Sequence, residues 1–465
     1  MRRLVLPILI ALLACGPTER FEPAEGQILL FVDTDAPVAS AANVRARADE
    51  PVPLFDRLRI EVFAPGATTP CDGCTNEFAI DADRLSALGV SIGIAPPPGV
   101  SGFRARARLF LTKFTKEGEP DPDNTIDVIV ALPAIEATGK ASVTVQMNTD
   151  DVGKQTGTLD APIDALLGEP AESRVGTWPS AERKPCSHAP RDGEVCIPGG
   201  AYWMGGKRGP WSFIPGHDTL SPRLVVLAPF YIGAHEVTVR EFRTWYVDGA
   251  AHPWSGAESG AAIEDFCTFT IAPDAREDFP VNCLPWGSAH EYCNAHGGEL
   301  PSEAQWEYVA SALVGSTYVW GEDPPSCADA IFSRLGYGVF ASSVTYCKPP
   351  APPGGATPIG SGQRDRLEMP TGTVIDLMGN VTEWLIDRWS RSSEPCWSRP
   401  GVYVDPVCNT DSKFASETEF RSARGGDWLV PGGQLAHTVR VGAPAARAFY
   451  SPEAGFRCMR PEPGK

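Results

Sequence analysis

Residues Asp376 to Trp389, D-L-M-G-N-V-T-E-W-L-I-D-R-W, bring carboxylates, two tryptophans and a Gly-Asn pair into one short stretch. Gly379 and Asn380 both tolerate positive φ, so the backbone turns tightly there. The turn leaves carbonyl oxygens between the Asp376 and Glu383 carboxylates. Hard cations such as calcium take that mixture of charged and main-chain oxygens. The same residues also describe an ordinary turn, with Trp384 and Trp389 in the core and the acids facing solvent. A second candidate chemistry is Cys71-x-x-Cys74, either a redox dithiol or a structural disulfide. Its setting, T-T-P-C-D-G-C-T-N, is a Pro/Gly loop between strands and not a strand-to-helix junction, which favours the turn disulfide.

The first residues read as targeting. Met1-Arg2-Arg3 precedes an apolar run from Leu4 to Ala14, and Leu12-Leu13-Ala14-Cys15 looks like a bacterial lipobox. Residues 1–15 are therefore expected to be a lipoprotein signal peptide, Cys15 the acylated residue, and 16–25 a polar tether. A plain secretory signal is the alternative. Either way the chain is exported, and its expected membrane partnership runs through the N-terminal lipid, on the outer membrane or the periplasmic face. Of 13 cysteines, Cys15 leaves an even number for an oxidising compartment. Proximity pairs Cys71–Cys74, Cys186–Cys196, Cys267–Cys283, Cys327–Cys347 and Cys396–Cys408, leaving Cys293 with Cys458. Closing a loop the length of Cys267–Cys283 stabilises by about 3 kcal/mol in the chain-entropy description.

What must position these residues is more than one core, because 465 residues exceed a single ordinary domain. A formal net charge of -18 excludes nucleic acid as the expected partner, since phosphate binding needs basic surface. The expected fold class is α+β. Residues 26–165 read as an all-β sandwich, with strands at Gly26–Val32, Leu58–Phe63, Ser91–Ile94, Phe103–Phe114, Thr125–Leu132 and Ala141–Met147. In F-R-A-R-A-R-L-F-L the apolar residues alternate with Arg104, Arg106 and Arg108, a stripe expected to be a solvated face. Residues 166–194 read as a polar, Pro-punctuated linker. Beyond them, capping boxes mark three helix starts: Thr238 with Glu241, Ser288 with Glu291, and Ser302 with Gln305.

The order of C-I-P-G-G-A-Y-W-M-G (196–205), P-F-Y-I-G-A-H-E-V-T-V-R-E-F (229–242), P-V-N-C-L-P-W-G-S-A-H-E-Y-C (280–293), G-G-E-L-P-S-E-A-Q-W-E-Y (297–308), D-L-M-G-N-V-T-E-W (376–384), R-G-G-D-W (424–428) and G-F-R-C (455–458) resembles the formylglycine-generating enzymes, or sulfatase-modifying factors. The resemblance covers residues 195–461 and implies an irregular, C-type-lectin-like α+β domain. It also implies a structural calcium held by Asp376, the carbonyls of Gly379 and Val381, and Glu383, and a disulfide between Cys293 and Cys458. The family's copper is held by two cysteines just after R-G-G-S. Those positions fall here on Val430 and on Leu435 or Ala436, while Asp427 and Thr382 replace a serine and a tryptophan. Apolar side chains hold no soft metal, so no copper is expected. Asp427, His437, Arg440 and Arg424 offer acid, base and anion-binding groups for an altered pocket. The expected function is a non-catalytic binding or assembly module with a protein or glycan ligand. The alternative is an extracytoplasmic oxidoreductase or modification factor with changed chemistry.

Overall fold

The computed structural model describes residues 24–40, 48–87, 90–206, 217–247, 266–334, 347, 355–409, 419–445 and 451–463. The leader, Cys15 and the tether to residue 23 lie outside the described residues. Period-two patterning builds two sheets in the first part of the chain. One runs in the order Leu166–Leu167, Lys140–Met147, Gln27–Thr34, Val90–Ile94, its two central strands parallel. The other runs Thr75–Ala79, Arg57–Phe63, Arg104–Phe110, Ile126–Ala131, Gln155–Thr156. Ile28, Leu30 and Val32 from the first meet Leu58, Ile60, Ala105, Ala107 and Val128 from the second in one core.

The arginine stripe is not the solvated face expected of it. Arg104 and Arg108 are buried. Arg108 pairs with Glu61 at 2.8 Å, Arg106 Nε with Asp127 at 2.8 Å, and Arg104 donates to the carbonyls of Leu159 and Ala67. The acids stand on the two flanking strands, within diagonal reach across the sheet. Cross-strand partners cannot be read from one strand's alternation. The stretch expected as a linker also runs docked. Leu166–Leu167 joins the first sheet, Arg174 Nε binds Asp33 at 2.7 Å, and the buried Trp178 donates its indole N–H to Asp150 at 3.0 Å.

The rest of the chain has small sheets, long loops and three α-helices among the described residues. Thr238 caps Val239–Val247, its hydroxyl and N–H both donating to Glu241 Oε2 at 2.8 Å. Ser302 and Gln305 complete a capping box on Glu303–Ala310. The third helix departs from expectation, because Trp286–Ala295 begins two residues before Ser288 could cap it. Pro285 stands at its N-cap in extended conformation, and its carbonyl accepts the Ser288 N–H at 3.0 Å. Ser288 is thus buried inside the helix. The disulfides are Cys71–Cys74, Cys186–Cys196, Cys267–Cys283, Cys293–Cys458, Cys327–Cys347 and Cys396–Cys408, the pairs expected from the sequence.

One small sheet joins the halves: Gly200–Met204, Arg223–Leu227 and Tyr403–Val404. Its alternation serves two cores at once. Ala201, Trp203 and Leu224 enter the N-terminal core, while Tyr202, Met204, Val225 and Leu227 enter the C-terminal one. Trp203 packs edge-on against Phe55 and Phe114 and donates its indole N–H to the Leu54 carbonyl at 2.9 Å.

Candidate functional site

A cavity of about 220 Å³ opens against the sheet formed by Thr382–Arg388, Phe420–Arg424 and Arg440–Pro444. Trp384, Val430, Val439, Val441 and Ala443 give it apolar walls, and Asp427 and Glu453 an acidic end. The Gly425-Gly426 turn shapes its floor, both residues at positive φ. A Cβ on Gly426 would lie 2.9 Å from Leu435 Cδ2, so glycine is what lets the turn fold over that side chain. Asp427 Oδ1 accepts the N–H groups of Leu429 and Val430 at 2.8 and 3.1 Å, and the Thr382 hydroxyl donates to Oδ2 at 3.2 Å. Burial, then the Glu453 charge, push Asp427 up to about 7. The Ser451 hydroxyl donates to Glu453 in turn. This end accepts a hydrogen-bond donor or a positive group, and Asp427 exchanges its proton near neutrality.

Val430 lines this cavity and Leu435 lies fully buried beneath its floor. Neither offers a donor atom to copper. The twelve cysteines after Cys15 are all in disulfides, so no thiol among the described residues replaces them. The residues present do not fit the copper site that the resemblance implies.

The structure separates Asp427 from the other candidate pocket groups. Arg440 is fully buried, with Nε and Nη2 each 2.6 Å from a Glu303 oxygen. Arg424 borders the cavity but aims its guanidinium at Glu303 and Glu307, at 2.9 and 2.8 Å. His437 Nδ1 stands 3.2 Å from Glu307 Oε1. Burial opposes ionisation of Glu303, yet Arg440 and Arg424 outweigh it and hold this carboxylate at about 2. Reading the sequence missed Glu303, Glu307 and Glu453. A signal existed for two of them: acids at i and i+4 on one helix face repel, unless cations meet that face.

The turn at 376–383 is tight and buried. Gly379 and Asn380 have φ of 116° and 58°. A Cβ on Gly379 would fall 2.4 Å from the Ile331 carbonyl oxygen. Asn380 Nδ2 donates to Glu236 Oε2 at 2.7 Å. Glu383 receives Arg457 on both oxygens and the Trp306 indole N–H at 2.9 Å, while Arg457 Nη2 also reaches the Asp376 carbonyl at 2.6 Å. Four buried carboxylates, Glu236, Asp365, Asp376 and Glu383, thus share one guanidinium. Burial, with Asp376 beside both, drives Glu236 well up and Asp365 to about 8. In donor type and charge these residues would suit a hard divalent cation. Among the described residues, no three His, Cys, Asp or Glu side chains are gathered around one point to hold a metal.

A family model described as "Sulfatase-modifying factor enzyme 1-like domain" matches residues 180–462. The formylglycine-generating enzyme of Thermomonospora curvata is 27% identical over 304 residues, covering 57% of this chain and 92% of that protein. The inactive Cα-formylglycine-generating enzyme 2 of Mus musculus is 23% identical over 327 residues, covering 60% and 89%. Among solved structures, PvdO from Pseudomonas aeruginosa aligns at a TM-score of 0.38 and 20% identity, over 58% of this chain and 94% of that one.

Proposed function

Because this chain belongs to the sulfatase-modifying factor enzyme 1-like family, and carries Val430 and Leu435 where the family's catalysis needs thiolates, we propose that it is a non-catalytic binding module. The observation that carries this reading is a formed cavity whose wall and floor hold Val430 and Leu435. Its ligand is a protein or glycan that presents an apolar body and a donor or positive group to Asp427 and Glu453. We read residues 26–165 as a β-sandwich, the whole as α+β, and Cys15 as the lipid anchor that fixes the protein to the bacterial cell envelope, on the outer membrane or the periplasmic face. Calcium between Asp376, Glu383 and the carbonyls of Gly379 and Val381 belongs to the same proposal. Its support is the excess of buried carboxylate around Arg457.

The second reading, a family enzyme with changed chemistry, draws on Asp427, held near neutrality beside Glu453. Purified mature protein separates the two. The binding module carries no stoichiometric copper or iron and consumes no oxygen with thiol peptides. Its saturable capture of an envelope protein or glycan is lost in Asp427→Ala. Stoichiometric redox metal, or turnover, refutes the binding reading.

A further inference from the structure

A second cavity, of about 260 Å³, opens where the two halves meet. Asp123 stands on its N-terminal lip, and Ser221, Arg223, Ser392, Trp397 and Arg399 line the opposite side. Arg223 forms the back wall and is 5% exposed. Its Nε and Nη2 donate to the Ser221 carbonyl at 3.0 and 2.7 Å, and its Nη1 donates to the Trp397 carbonyl. Nη2 also reaches Ser392 Oγ at 3.4 Å. The guanidinium lies against the rings of Trp397 and Tyr403, 5.3 and 5.6 Å from their centroids.

Unlike Arg424, Arg440 and Arg457, Arg223 has no carboxylate paired with it among the described residues. Arg424 and Arg440 have Glu303 and Glu307, and Arg457 has Glu383. The two acids that bear on Arg223 are those same committed residues, Glu303 and Glu307. Burial lowers the guanidinium to about 10, so it stays charged at neutral pH. A buried cation ordinarily carries a counter-charge. Its N–H groups are committed to the Ser221 and Trp397 carbonyls, the Ser392 hydroxyl and the Tyr403 hydroxyl, so it serves the cavity as a charge.

The surroundings supply further donors. Ser392 Oγ accepts the Ser221 N–H and donates to Ser221 Oγ, both at 2.9 Å, which leaves the Ser221 hydroxyl proton to give away. At the rim the exposed Arg399 stacks 3.9 Å from the Tyr403 centroid, and its Nη1 makes only a 3.4 Å contact to the Val402 carbonyl among the described residues. The loop is held in place beforehand. Cys396–Cys408 closes it, and Gly401 packs so tightly on the N-terminal half that an added Cβ would stand 3.1 Å from Lys154 Cε.

We propose that this junction cavity binds an oxyanion group, a sulfate, phosphate ester or carboxylate carried on a small ligand. Arg223 is the fixed charge behind it, the Ser221 hydroxyl donates to it, and Arg399 closes over it from the rim. Guanidinium forks match planar and tetrahedral oxyanions, and charge-assisted bonds in a desolvated cup are the strong ones. In a chain of net charge -18 such a site gives selectivity, because the surrounding field repels anions that cannot make these bonds.

The test uses the mature full-length protein, with calorimetry and thermal shift against sodium sulfate, sodium phosphate and sodium acetate, each referenced to chloride at matched ionic strength. At least one oxyanion binds saturably and raises the melting temperature, and which one does so names the ligand class. Arg399→Ala and Ser221→Ala keep the fold and weaken that binding about tenfold or more, each removing a donor to a charged group. Arg240→Ala, an exposed cation on another element, leaves it unchanged. No saturable response to any of the three salts overturns the proposal. So does an affinity unaltered in both Arg399→Ala and Ser221→Ala.

Discussion

Glu303 and Glu307 lie among Arg424, Arg440 and His437, whereas Glu236, Asp365, Asp376 and Glu383 share Arg457. Both groups are buried. In the first, arginines hold Glu303 and Glu307 ionised, although the neighbouring Asp387, which accepts the Glu303 N–H at 2.8 Å, is pushed up to about 7 by burial and by Glu303. The second is acid-rich, and burial pushes Glu236, Asp365 and Asp376 towards the protonated form. Matched charge in a dry interior is scaffold. Unmatched charge marks where a proton or a cation must enter, and Arg223 is the same situation with the sign reversed.

That comparison is open to direct attack. Glu303→Ala, which leaves Arg440 and much of Arg424 uncompensated, is expected to cost about 3–5 kcal/mol by urea denaturation. A loss within 1 kcal/mol of zero, on the order of an exposed pair, would remove that cluster from the scaffold. Next in size is the joint sheet. Trp203→Ala is expected to cost about 3–5 kcal/mol at most, less where the cavity collapses, and to split a single unfolding transition in two. Retention of one sharp transition would show that the halves are coupled by other contacts.

The two clusters respond to pH in opposite directions. Glu303 is held at about 2, below its unfolded value of about 4.3, so its contribution is complete above that value and lost as pH falls towards 2. Asp365 is held at about 8, above its unfolded value of about 3.9. The folded state then binds the proton more tightly, and stability is lost as pH rises from about 4 through 8. In chelator, melting temperature is therefore expected to fall on both sides of a mildly acidic optimum. Calcium should reduce the alkaline loss and leave the acid one unchanged. The smallest effect is the chelator shift itself at neutral pH, present in the wild type and absent in the Asp376→Ala, Glu383→Ala double variant. An equal shift in that variant would move calcium elsewhere.

The N-terminal strands were legible because alternation is local. Ala105, Ala107 and Leu109 face the core as the pattern in their own strand requires. The fate of Arg104, Arg106 and Arg108 was not, because it depends on Glu61 and Asp127 in other strands. The cap at Ser302 was legible and that at Ser288 was not, since Pro285 supplies a competing start. At the candidate site, Asp427 and Val430 were found through their place after Arg424. Glu453 reaches the cavity from a segment whose sequence carries no sign of it. The divergence of Asp427 from His437 and Arg440, so close in the chain, follows from which residues meet Glu303 and Glu307. No spacing encodes that.

The sheet with two inward faces also constrains the order in which the protein is made. Gly200–Met204 pairs with Arg223–Leu227, and together they carry Trp203 and Leu224 into a core whose other strands are synthesised earlier. The third strand, Tyr403–Val404, is made much later. The first half is therefore completed by residues that belong to the second. During synthesis the opposite face of that ribbon, Tyr202, Met204, Val225 and Leu227, waits uncovered for the rest of the chain. Truncation after residue 194 leaves the first core without Trp203.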